Sequence, residues 1–290
     1  MGSTYNNHST KSLFSTQNIV IASFAWGILA LLYFLLFSIE ISTGPNDPGK
    51  RAEWYIIGTN IFEAIAYLKA GILCLRNWRS PQIVSGGNVW LAMGIGMLSY
   101  FLGGIFFGYT EIVLQEEPFP SIGDIFFVIT YLFVGIAMIL AVASRRINLE
   151  AWQWIIILAI AISGSAIAWL ISKETGKAEV AAWAIQIAPA LNWFYVVMDV
   201  LLLIIATALL LAFWGGRVSL SWRMIAAAAF SLYIADMWQK YATTSIENYQ
   251  SGGILEVFYV WSGVLFGVGA VLEYDASLNR SRRERGRKRT

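Results

Sequence analysis

The chain has 290 residues, of which 58% are apolar and only 13% charged, with a mean hydropathy of +0.62. This excludes an ordinary soluble domain, a disordered chain and a collagen-like fibre, because most residues fall into apolar runs of about 20, enough to cross a hydrocarbon core of about 30 Å. The net charge of +2 is uneven: Arg280 to Thr290 holds seven of the 20 basic residues and one of the 18 acidic ones, leaving 13 basic against 17 acidic elsewhere.

In chain order, a polar leader (1–18) precedes eight apolar runs at 19–39, 54–75, 89–109, 121–143, 152–172, 191–214, 221–242 and 254–274, and a basic tail follows at 275–290. The expected architecture is all-α, with eight transmembrane helices in two halves, 19–143 and 152–274. The leader lacks a signal-peptide cleavage pattern, so the first run reads as a retained anchor. Lys11, Arg76, Arg79, Arg145, Arg146, Arg217, Arg223 and the tail all fall on one side of an eight-span chain, which predicts that both termini are cytoplasmic. Eight tryptophans (Trp54, Trp78, Trp90, Trp152, Trp154, Trp193, Trp214 and Trp222) lie near run ends, where indoles favour the membrane interface.

The two halves look related. Shifting residues 90–140 by 132 positions, without gaps, aligns Trp90 with Trp222, Ser99 with Ser231, Asp124 with Glu256 and Gly135 with Gly267. A shift of 139 aligns Trp54 with Trp193 and Asn60 with Asp199. These matches point to a tandem four-plus-four repeat of parallel topology. Glycines recur at GxxxG spacing in Gly104/Gly108 and Gly263/Gly267, a spacing that lets helix backbones approach closely.

Charged side chains within such runs are costly, so each must be paired, near an interface or functional. Asn60, Glu63, Asp124, Asp199, Asp236, Lys240 and Glu256 all fall in the outer half of their runs and form one layer. Helical spacing places Asn60, Glu63 and Tyr67 on one stripe and Tyr233, Asp236 and Lys240 on another. Asn60, Glu63, Tyr67, Asp199, Tyr233, Asp236 and Lys240 suggest a polar cavity, open to the extracytoplasmic side, for a small polar or cationic ligand. The competing expectation is an internal brace in which Asp236 and Lys240 pair at i,i+4 and Lys69 pairs with a carboxylate or snorkels towards Arg76. Asp124 and Glu256 open their helices, where capping alone would account for them.

The only cysteine, Cys74, lies in an apolar run and the only histidine, His8, in the leader, so neither a disulfide framework nor haem or zinc ligation is expected, and no cofactor is implied. HExxH, GxSxG, P-loop and GxGxxG patterns are missing, which argues against an enzyme.

The stretch EEPFPSIGDIFFVITYLFVGIAMIL, after a helix from Trp90 to Tyr109, resembles the membrane input region of bacterial signalling proteins. Those regions carry a P-S-x-A-D-x-F-Y-like helix start and often precede diguanylate cyclase or phosphodiesterase domains. The likeness covers 90–143 and, more loosely, 222–274, with Asp124 and Asp236 at the acidic positions. Gly123 stands where that pattern has alanine, and no output domain follows the eighth run. The resemblance implies a sensing or scaffold module in a bacterial inner or internal membrane. Its expected partners are membrane lipid, a small ligand and a protein met through the cytoplasmic loops and tail, with no nucleic acid. The alternatives are a small-solute or ion carrier and an accessory or assembly subunit; the apolar inner halves, such as 201–211, favour a one-sided site over a path through the membrane.

Overall fold

In the computed structural model, residues 15–41, 49–115, 119–143, 149–172, 187–212, 219–246 and 249–287 are described. Most of the leader, together with Lys11, Arg145, Arg146, Trp214 and Arg217, lies outside them. Eight α-helices follow one another: α1 (Thr16–Phe37), α2 (Glu53–Trp78), α3 (Gly87–Gly108), α4 (Ile122–Ala143), α5 (Ala151–Ser172), α6 (Ile187–Ala212), α7 (Ser219–Ser245) and α8 (Val257–Arg287). Seven are long and apolar enough to cross a membrane. α7 has the length, but it carries Arg223, Asp236 and Lys240 and encloses much of its surface against its neighbours.

Local chemistry explains where the helices begin. Ser15 caps α1 by accepting from the Asn18 amide at 3.2 Å. At α4, Ser121 Oγ accepts from Gly123 N at 3.1 Å while Asp124 Oδ2 accepts from Ser121 N at 2.7 Å, a reciprocal cap. A single 3-10 turn, Ile254–Glu256, leads into α8, and Glu256 accepts from the amides of Gly252 and Gly253 at 2.8 and 3.1 Å. Pro189 sits in the first turn of α6, where its missing N–H costs no internal helix bond.

Neighbour relations close into a ring. α2 packs on α3, α3 on α4, α4 on α6, α6 on α7, α7 on α8 and α8 back on α2. α1 lies outside the ring against α8 and α2, and α5 lies outside against α6 and α7. The core fills one half of the ring with Cys74, Met93, Met97, Met138, Leu209, Ile225 and Phe266. Trp90 and Trp222, expected at the interface, are instead fully buried there, with ring centroids 6.1 Å apart. Trp54, Trp78, Trp152, Trp154 and Trp193 are exposed.

Contacts between connecting segments identify the two ends of the ring. At one end, Thr16 donates to Asp275 at 3.3 Å, and the α2–α3 turn meets α8 through Val84 N to Ser277 Oγ at 3.2 Å and Ser85 Oγ to Glu273 at 2.8 Å. At the other end, a two-residue hairpin of β1 (Glu40–Ile41) and β2 (Lys50–Arg51) presents Arg51, whose guanidinium bonds Glu40 at 2.9 Å and the Gln250 and Ser251 carbonyls. α8 does not stop where hydropathy falls near residue 274. It continues through the basic stretch to Arg287, supported by Asn279–Asp275 and Arg280–Glu284 contacts, both 3.0 Å.

Lipid offers helices no hydrophobic gain on association, so close packing and hydrogen bonds must hold them together. A Cβ on Gly123 would lie 2.9 Å from the Gly103 carbonyl oxygen, and one on Gly263 would lie 3.0 Å from Ala66 Cβ. The glycine at 123 is thus required by the α3–α4 crossing. The GxxxG spacing in α8 serves the α2 contact, whereas a Cβ on Gly104 would meet nothing within 4 Å. Gly123→Ala should therefore cost about 1–3 kcal/mol in reversible unfolding in mixed detergent micelles, and Gly104→Ala should cost nothing.

Candidate functional site

Every helix of the ring contributes to one polar layer. Tyr131 of α4 sits between two carboxylates, its hydroxyl 2.5 Å from Asp199 Oδ1 of α6 and 2.5 Å from Asp236 Oδ2 of α7. Tyr259 of α8 donates to the second oxygen of Asp236 at 2.9 Å. Tyr100 of α3 stacks on Tyr67 of α2, one helical turn from Glu63, with ring centroids 3.7 Å apart. Tyr100 and Tyr259 are 6.3 Å apart, which joins the two groups into one band. Asp199 is only 3% exposed, while Asp236 and Glu63 are half-buried.

The other expected residues divide. Asn60 donates to its own helix, to Ile56 O at 2.9 Å, and lies against Gly108, so it does not join Asp199. Tyr233 turns out of the ring and donates to Gly164 O of α5 at 2.8 Å. Lys240 does not pair with Asp236: its ammonium donates to Asn192 Oδ1 at 2.6 Å, and no ion pair joins the two among the described residues. Lys69 meets neither a carboxylate nor Arg76; its Nζ donates to Ser23 Oγ of α1 at 2.7 Å. Asp124 and Glu256 act as caps, and each also accepts from a tyrosine, Tyr195 at 2.7 Å and Tyr249 respectively. In the loop before α8, burial and the Glu256 charge push the Tyr249 phenol up.

Tyr100, Tyr131 and Tyr259 are the residues that sequence reasoning missed. Each stands alone in an apolar run, and its partner is on another helix, so spacing along its own helix carries no signal. The chemistry of the central triad follows from counting hydrogens. One phenol proton can be donated to one carboxylate only, yet two carboxylate oxygens approach Tyr131 at hydrogen-bond distance. A second proton on one of the two carboxyl groups would satisfy the remaining contact.

Two cavities, of about 300 and 210 Å³, lie elsewhere, and neither is lined by the triad. Among the described residues no group of three or more His, Cys, Asp or Glu side chains could hold a metal ion. No protein-family model matches the chain, and neither a curated protein nor a solved structure is detectably similar to it. By the length and composition of its helices it is a multi-pass helical membrane protein.

Replacing the bridging phenol leaves two buried carboxyl groups facing each other without a donor. Tyr131→Phe should cost about 1–3 kcal/mol and Tyr259→Phe about 1 kcal/mol in the same unfolding assay. Equal effects would contradict the central place given to Tyr131.

Proposed function

We propose that this chain is a multi-pass membrane sensor or binding protein whose Asp199–Tyr131–Asp236 triad takes up a small cationic species, with the proton as its simplest form. In this reading all eight helices span, α7 included, and both termini share the cytoplasmic face with the basic extension of α8. The mirrored neighbour relations, α2 with α8 and α6 with α4, support a tandem repeat, as does the Trp90–Trp222 contact between equivalent positions. Equivalent residues touch each other only near a two-fold axis.

The observation that carries the proposal is the single phenol placed between two carboxylates on three different helices. Gaining or losing one positive charge there changes which carboxyl Tyr131 bonds, and so biases how α4, α6 and α7 pack. A partner would read the change at the far end of the ring, through α8. A carrier receives less support: the far half of the ring is filled by Trp90, Met93, Met97, Met138, Trp222 and Phe266, which leaves the polar layer one-sided.

The test is hydrogen exchange of purified protein in nanodiscs across a pH and sodium series, following residues 76–85 and 273–287 at the far end. Wild type should change protection there as the triad is filled, and Asp199→Asn/Asp236→Asn should not. Unchanged protection in the wild type would leave the triad a structural brace.

A further inference from the structure

The larger cavity lies at the far end from the triad, where α2 turns towards α3. It is an open cleft of about 300 Å³, lined by Arg76, Arg79, Ser80, Gln82, Tyr274 and Leu278, with Pro81 at the turn. Arg76 lies face-on to Tyr274, with Cζ 4.0 Å from the ring centroid. That stacking occupies the face of the guanidinium and leaves its edge, where the donors are. Nε and Nη2 of Arg76 are buried with no hydrogen-bond partner among the described residues. A guanidinium edge of this kind matches the paired oxygens of a carboxylate or a phosphate.

Among the described residues no carboxylate forms an ion pair with Arg76 or Arg79. The acidic residues at this end are engaged elsewhere: Glu273 with Ser85, Asp275 with Thr16 and Asn279, Glu284 with Arg280, and Glu150 with Trp152. Two arginines, a serine hydroxyl and a glutamine amide thus converge on a cavity beside the basic extension of α8, with neither arginine ion-paired among the described residues.

We propose that this cavity binds a phosphoryl group, through Arg76 and Arg79 with Ser80 and Gln82 as further donors. The group can come from an anionic phospholipid headgroup at the membrane face or from a soluble phosphate. Tyr274 stacking fixes the Arg76 fork, so lysine at 76 would keep the charge and lose the paired geometry.

The test is binding to the full-length protein in detergent, using dioctanoyl phosphatidylglycerol, dioctanoyl phosphatidylcholine and inorganic phosphate as probes, with thermal unfolding as a check on folding. Saturable binding of phosphatidylglycerol, weakened roughly tenfold or more by Arg79→Gln and by Arg76→Lys, is the expected result for a lipid source. Saturable binding of inorganic phosphate with the same sensitivity assigns the site to a soluble compound. Neutralising Arg280, Arg282, Arg283 and Arg287 together should leave the cavity's affinity within about threefold, as solvent-exposed charges that do not line the cavity contribute mainly screened attraction. The proposal is overturned if no probe saturates in well-folded protein, if the cavity variants bind as wild type, or if only the tail variant loses binding.

Discussion

Within hydrocarbon there is no water to take up a stray polar group, so whatever polarity these helices bring inward must be matched inside the ring. The bond between Tyr131 and its two aspartates is where that requirement is tightest, because three helices meet on one hydroxyl. From it the band extends through Tyr259 to Tyr100, Glu63 and Tyr67, so that α2, α3, α4, α6, α7 and α8 each supply at least one member. α1 and α5, which supply none, are the two helices outside the ring. Polarity and architecture are therefore linked: helices with an inward polar residue form the ring, and those without one face lipid.

The ring is not uniform along its axis. Its polar band lies towards the end clasped by Arg51, which ties the α1–α2 hairpin to the loop before α8, where Tyr55 also donates to Gly252 O at 2.8 Å. The other half is a close-packed apolar core around Trp90 and Trp222, beneath the arginine cavity. Where packing alone must bind helices, small residues let backbones approach, as at the Gly103–Gly123 crossing and at Gly263 against Ala66. Two helices connect the polar band to the far end across this close-packed core: α8, which runs from Glu256 past the arginine cavity to Arg287, and α2, which runs from Tyr55 at the clasp to Arg76 in the cavity.

Much of the fold was legible because a bilayer imposes one length on every span, and all eight helix starts fall within about four residues of the run boundaries. The end of α8 was not legible: beyond residue 274 the helix is held by pairs such as Arg280–Glu284, which hydropathy does not register. The site was legible in part. Charge in an apolar run marked Asp199 and Asp236, but the i,i+4 rule sees only one helix, so it paired Asp236 with Lys240 while the actual partners came from α4 and α8. Tryptophan near a run end suggested an interface, yet Trp90 and Trp222 lie on faces turned towards each other, a property of the tertiary arrangement. The glycine at 123, a departure from the resembled pattern, has its reason only in the opposing Gly103 backbone.

Infrared difference spectroscopy reads the second proton or cation of the triad directly. Protein in nanodiscs at neutral pH, compared with Asp199→Asn/Asp236→Asn, should show the carbonyl stretch of a protonated carboxylic acid that is lost in the variant, or one that appears only when small cations are removed. If no such band is present under either condition, the two carboxylates share Tyr131 without a second positive charge, and the triad cannot be the responsive element proposed.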